Sequence, residues 1–168
     1  MTKQERFNLL FEPCKMPLKR FAYSISYGSQ QAEEIIADTM FFAYQNIDNL
    51  SSDKAFLSYL FTIARRVKSK IIKANSENNH NFDLDEFVSK ELNPEERCDT
   101  ILLYEAIAKL KEEQKEALIL NEFSGLTAKE ISKIQNTTVY NVKIRIFRAK
   151  KLLKKLLSDS EIQNEKVG

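Results

Sequence analysis

The chain is poor in the residues that break helices. It has three glycines and three prolines among 168 residues, and no tryptophan. Glycine-rich phosphate loops, which need several glycines in one short run, are excluded, and turn-dense β architectures are hard to build. Cysteine is scarce as well. Cys14 and Cys98 stand far apart and fit neither a zinc-ligand spacing nor a disulfide framework, so they read as reduced structural thiols. The single histidine, His80, lies in an asparagine-rich run and reads as a solvated loop residue. Without a phosphate loop, a metal-ligand cluster or a paired His and Cys, no catalytic residue, metal or cofactor is expected. No run approaches the ~20 apolar residues of a membrane span. The opening stretch, MTKQERFNLLFEPCK, has no long apolar leader segment. Together these absences predict a cytoplasmic, non-enzymatic protein with no membrane insertion.

What is present is helical periodicity. Hydrophobic residues make up 43% of the chain, enough for real cores, and apolar spacings of three and four dominate. The expected fold class is all-α, in two small helical domains. The net charge of +2 conceals an uneven distribution. No acid occurs between Lys54 and Ser76, and none between Glu130 and Asp159. Residues 75–99, in contrast, hold eight acids against Lys90 and Arg97. Basic blocks of this kind are electrostatic footprints for nucleic acid.

The most informative stretch is 126–157, which reads as two helices with a tight turn between them. The first, 128–134, carries Ile131 and Ile134. Asn136 tolerates the left-handed conformation that a sharp turn needs. Thr137 or Thr138 then caps the second helix. In that helix Val139, Val142, Ile146, Ala149, Leu153 and Leu156 share one face, and Lys143, Ile144, Phe147, Arg148, Lys151 and Lys155 lie on the other. From 139 to 157 it runs about 28 Å. This is the helix-turn-helix pattern, with a second helix shaped and charged for a major groove. The competing reading is a basic, solvated helix of an all-α bundle. Residues 158–168 read as a polar, frayed tail.

Upstream, 5–27 reads as a helix or helix pair interrupted by Pro13 and Pro17, with Gly28 closing it and Ser29 capping the next. In 30–47, Ala32, Ile35, Ile36, Thr39, Ala43 and Ile47 form an inner face. Glu34, Asp38, Phe41, Phe42 and Gln45 lie opposite. Acids mixed with aromatics fit a docking surface; they also fit a helix whose Phe41 and Phe42 pack on a third helix, and periodicity leaves both open. A polar loop at 48–54 precedes a helix at 55–74. Leu57, Leu60, Ala64, Val67 and Ile71 form its buried stripe; Arg66, Lys70 and Lys73 lie opposite, and Lys68 nearer the buried edge. Phe56, Tyr59 and Phe61 cluster at its start. Cations on phosphates and rings on unpaired bases suit single-stranded nucleic acid; core aromatics beside a solvated stripe are the plainer alternative. Residues 75–99 read as an acidic tether with Phe82, Leu84 and Phe87 as anchors. Helices at 101–110 and 112–123 follow, and Gly125 suits a left-handed cap.

Taken together, the chain resembles the extracytoplasmic-function (ECF) sigma factors, the smallest group of the bacterial sigma-70 family. AEEIIADTMFFAYQNI (32–47) is similar to that family's polymerase-docking helix, and FLSYLFTIAR (56–65) to its promoter-melting helix. LKEEQKEALILNEFSGLTAKEIS (110–132) and YNVKIRIFRAKKLL (140–153) are similar to its second domain. The resemblance implies a sigma region 2 domain at 1–74, a linker at 75–99, a region 4 domain at 100–157 and a tail at 158–168. It implies core RNA polymerase as partner, through the β′ and β subunits, with promoter DNA, double-stranded and melted, and an anti-sigma factor. Glu34, Asp38, Phe42 and Gln45 would dock on the β′ coiled coil. The loop 49–53, with Asn49, Ser51, Ser52 and Asp53, would hold a base flipped from the −10 element. Tyr59, Phe61, Arg66 and Lys70 would follow the separated strand. Thr138, Asn141, Lys143, Ile144, Phe147, Arg148 and Lys151 would meet the −35 element, with Arg145 pairing with Glu130 to brace the motif. Ala37, Tyr59, Arg66, Lys70, Gln135, Asn136 and Ile144 depart from the family pattern, so neither promoter sequence carries over. The alternative is a conventional helix-turn-helix regulator that binds DNA as a dimer without polymerase.

Overall fold

A computed structural model describes residues 1–26, 29–74 and 94–167, and among them every regular element is helical. The chain divides into two compact units, one on each side of the boundary at residues 82 and 83. Gly28, His80, Phe82, Leu84 and Phe87, and the capping side chain expected of Ser29, lie outside the described residues.

In the first unit α1 spans Lys3–Phe11. Thr2 and Glu5 close its N-terminus reciprocally: Glu5 N–H donates to Thr2 Oγ1 at 3.1 Å, and Thr2 N–H to Glu5 Oε2 at 2.8 Å. Pro13 sits in a 3-10 turn, Glu12–Cys14, and α2 follows at Lys15–Ile25. Pro17 falls in the first turn of α2, where a missing N–H removes no intrahelical bond. The expected interruption is therefore the 3-10 turn at Pro13, and Pro17 is accommodated within α2. Helix α3 spans Ser29–Asn46, and α4 spans Phe56–Ala74, with 3-10 turns Ile47–Asn49 and Asp53–Ala55 between them. Ala32, Ile35, Thr39, Ala43 and Ile47 are buried, as their spacing requires, and Ile36 is half-buried. Aromatic rings hold the layers together. Phe21 of α2 meets Phe61 of α4 edge-on, with centroids 4.9 Å apart. Phe7 of α1 stacks on Phe11 at 5.3 Å and meets Tyr44 and Phe56 edge-on at 5.4 and 6.0 Å.

In the second unit α5 spans Pro94–Ala108, so its start at Pro94 precedes the expected start at 101 and lies within the stretch read as tether. Proline is pre-organised for a first helical position, and Glu95 and Glu96 favour the positive end of the helix dipole. Helix α6, Glu112–Leu118, passes into a single π turn, Ile119–Phe123. There Ser124 N–H reaches back to the Ile119 carbonyl at 3.2 Å, and Gly125 adopts φ 69°. Helix α7 spans Ala128–Ile134, with a reciprocal cap between Thr127 and Glu130. Asn136 takes φ 52°, the left-handed turn expected of it. Thr138 Oγ1 then accepts the Asn141 N–H at 3.1 Å and opens α8, Val139–Val167. The frayed tail expected from 158 is a correction: the helix continues through it. No glycine or proline interrupts the chain until Gly168, and Ser158 donates back to the Lys154 carbonyl at 2.9 Å. Leu110, Leu118 and Ala149 are buried together, with Leu153 packed against them.

Because the α7–α8 turn rests on one left-handed residue, Asn136→Gly is expected to leave stability unchanged or raise it, and Asn136→Val to lower it by about 1–2 kcal/mol. Urea unfolding of the full chain, followed by helicity, checks both.

Candidate nucleic-acid interfaces

Helix α8 presents its two faces as the pattern requires. Val142 and Ala149 are buried, and Ile146, Leu153 and Leu156 are half-buried. Val139 is 38% exposed, since a helix's first residue has no preceding turn to lie against. On the other face Lys143, Arg148 and Lys151 are exposed, Phe147 is 67% exposed, and Ile144 is half-buried. Thr138 and Asn141 are exposed at the N-terminus and shape it: Asn141 Nδ2 donates to Thr137 Oγ1 at 3.1 Å. Tyr140, which the sequence reading passed over, is 72% exposed. Its relation to Ile144 and Phe147, four and seven residues on, places it on their face and was the signal that could have found it.

The angle of α8 is set by a polar bridge different from the expected one. Arg145 Nη1 donates to Gln135 Oε1 at 2.9 Å, and Nη2 lies 3.2 Å from Glu113 Oε2. Gln135 Nε2 donates onward to the Glu113 carbonyl at 3.0 Å. The expected partner, Glu130, instead accepts from Thr127 N–H at 3.3 Å and Thr127 Oγ1 at 3.0 Å. The Glu130 carboxylate is engaged at its own helix start, and Arg145 finds its partners on Gln135 and Glu113. Arg145 therefore ties the turn and α6 to the recognition helix, through a Gln135 that is only 6% exposed. In α6, burial pushes the Lys115 ammonium below its usual range, opposed by the Glu116 carboxylate.

The first unit carries two further surfaces. On α4, Arg66 and Lys70 are exposed and Tyr59 is half-buried. Burial pushes the Tyr59 hydroxyl up, and the Arg66 charge draws it partly back. Phe61 is a correction: it is fully buried against Phe21 and cannot meet a strand. Its position two residues beyond Tyr59 is half a turn around the helix, on the core side. The loop side chains Asn49, Ser51, Ser52 and Asp53 are exposed. Two residues absent from the sequence-level site meet this connection. Arg6 Nη2 lies 2.7 Å from Asp53 Oδ1, and Lys3 Nζ lies 3.1 Å from Asp48 Oδ2. Such contacts span more than forty positions and leave no local signal.

On α3, Glu34, Phe41, Phe42 and Gln45 are exposed and Asp38 is half-buried. Phe41 and Phe42 pack on each other at 5.5 Å. Lys70 of α4 holds its Nζ 5.6 Å from the Phe42 ring, joining the two surfaces. Among the described residues no group of three or more His, Cys, Asp or Glu could hold a metal ion. No helix among them is long and apolar enough to cross a membrane.

Two family models match the chain: Sigma-70 region 2 over residues 10–76, and Sigma-70, region 4 over residues 100–153. An ECF RNA polymerase sigma factor, EcfG of Rhodopseudomonas palustris, is 31% identical over 145 residues, covering 83% of this chain and 78% of its own. The RNA polymerase sigma-H factor of Pseudomonas aeruginosa is 28% identical over 145 residues, covering 78% of this chain and 75% of its own. In fold the chain is similar to the sigma factor RpoE of Bartonella quintana, solved with the anti-sigma factor NepR: TM-score 0.74, 23% identity, 90% of this chain and 96% of that one. It is also similar to CnrH, solved with the cytosolic domain of CnrY: TM-score 0.70, 20% identity, 93% of this chain and 90% of that one.

The contrast between Phe61 and its neighbours is testable. Phe61→Ala should destabilise the first unit by ~3–5 kcal/mol. Arg66→Ala should leave the melting temperature nearly unchanged and weaken binding to single-stranded DNA. Calorimetry beside a fluorescence titration separates the two.

Proposed function

The chain belongs to the extracytoplasmic-function sigma factors of the sigma-70 family, and on that premise we propose a division of labour among its exposed residues. It is an alternative sigma factor, which directs core RNA polymerase to specific promoters and begins DNA melting there. Glu34, Asp38, Phe42 and Gln45, with Phe41 beside them, dock on the polymerase β′ subunit. Asn49, Ser51 and Ser52 receive a base flipped from the −10 element, and Tyr59, Arg66 and Lys70 follow the opened strand. Thr138, Asn141, Lys143, Ile144, Phe147, Arg148 and Lys151 meet the −35 duplex, and Tyr140 joins them. Lysine and arginine pair with phosphate or guanine, and Tyr140, Ile144 and Phe147 meet thymine methyls.

Residues 1–74 act as the region 2 domain and 100–157 as region 4, with the acidic chain up to residue 93 as the tether. It passes along the polymerase β and β′ subunits. The protein makes and breaks no bonds; binding energy on core and on the opened strand drives melting. Its place of action is the cytoplasm, with the polymerase. Control by an anti-sigma factor is supported by the two structural neighbours, each named for a complex with a second protein. The observation that carries the residue assignments is a pair of displays in the right order: an exposed acid-aromatic face within the segment matched as region 2, and an exposed basic-aromatic face on the capped second helix of the segment matched as region 4. Matches to both regions disfavour a dimeric regulator that works without polymerase.

The decisive experiment is co-elution of the purified chain with bacterial core polymerase, then transcription from a genomic DNA library. Tight binding and discrete start sites are expected. Binding of a palindromic duplex by the chain alone, with no affinity for core, would overturn the assignments. Asp38→Arg should weaken core binding at least about tenfold, roughly 1.4 kcal/mol, with helicity unchanged. Lys143→Ala with Arg148→Ala should abolish transcription while core binding persists, and the salt dependence of −35 duplex binding should become shallower.

A further inference from the structure

Helix α1 carries none of the proposed contacts, and Lys3 and Arg6 precede the segment matched as region 2, which begins at residue 10. Yet both reach the connection between α3 and α4. Arg6 touches its two ends: Nη1 donates to the Ile47 carbonyl at 3.4 Å, while Nε and Nη2 meet Asp53 Oδ1 at 3.3 and 2.7 Å. Lys3, one turn earlier, donates to the Gln45 carbonyl at 3.1 Å and pairs with Asp48 at 3.1 Å. Beneath them Phe7 packs on Tyr44 and Phe56, the two helix ends that flank the loop. Arg6 thus stands on an anchored base and spans the loop at its mouth, while Lys3 holds its α3 side.

We propose that Arg6, assisted by Lys3, is a positioning residue for reading the melted −10 strand: by joining Ile47 to Asp53 it sets the width of the loop that receives the flipped base. The proposal rests on the loop assignment made above. Two physical consequences favour it. Asp48 and Asp53 put two carboxylates where DNA phosphates must approach, and Lys3 and Arg6 offset that repulsion. A loop held at both ends loses less freedom when it binds, so binding is tighter and more selective. Half-exposed ion pairs contribute little to global stability, so substitution reads loop position more than folding. Asp53 itself acts through Arg6 and does not hold the base.

The test uses holoenzyme assembled from the full chain and core polymerase, and a pool of DNA duplexes with an unpaired, randomised central segment. Wild-type holoenzyme should enrich particular bases in that segment. Arg6→Ala should reduce the enrichment about tenfold at one or two positions, with core affinity and melting temperature unchanged. Asp53→Ala should reproduce that loss, and the double variant should lose no more, because either change unties the same end of the loop while Asp53→Ala leaves Arg6 charged. Unchanged enrichment in Arg6→Ala would overturn the proposal; so would enrichment that survives in Asp53→Ala, which would mean a direct phosphate contact by Arg6. Asn49→Ala separates the proposal from its premise. Loss of enrichment with Asn49→Ala but not with Arg6→Ala sinks the positioning role and keeps the loop assignment, whereas no loss with either sinks both.

Discussion

In each unit one helix must serve two environments at once. Helices α4 and α8 each bury one stripe in a small core and turn the other to solvent. A residue's angle around the helix, ~100° from its neighbour, decides which it meets. Leu60, Ala64, Val67 and Ile71 hold α4 in place, so Arg66 and Lys70 are aimed outward. Val142 and Ala149 do the same for Lys143, Phe147 and Arg148. The exposed faces are thus the reverse sides of the two cores, and packing gives them their outward aim.

That economy leaves the helix ends as the weak points, and they are where polar groups gather. Reciprocal caps close α1 and α7, and Asn136 and Gly125 make the turns that only left-handed residues make cheaply. The Gln135–Arg145–Glu113 bridge lies at the one corner where α6, the turn and α8 meet. A small domain has few apolar contacts with which to fix a helix angle, and directional hydrogen bonds fix it with few atoms. In the first unit the aromatic cluster of Phe7, Phe11, Tyr44 and Phe56 plays the corresponding part, bringing α1 against the ends of α3 and α4.

The acid-aromatic face of α3 and the cationic face of α4 are joined at Phe42 and Lys70. A cation held near an exposed ring gains little in water, so the contact is readily exchanged for a partner surface or a phosphate. In the proposed assignments, polymerase docking and strand binding draw on adjacent side chains of one unit.

The sequence by itself determined the helical class, the two-unit order, the helix-turn-helix and its left-handed Asn136, because each follows from local spacing or from one residue's backbone preference. It also marked Lys143, Phe147, Arg148, Arg66 and Lys70 as outward, since a stripe of apolar neighbours defines its own reverse side. Only the tertiary structure decided what depends on residues distant in the chain. Phe61 and Tyr59 are both aromatic, and only Phe21 settles that Phe61 faces the core. Arg145 had several acids in reach of a plausible guess, and the cap at Thr127 removed Glu130 in favour of Gln135 and Glu113. Arg6 reaches Asp53 because the chain between them folds back on itself, and no periodicity records a contact made by folding.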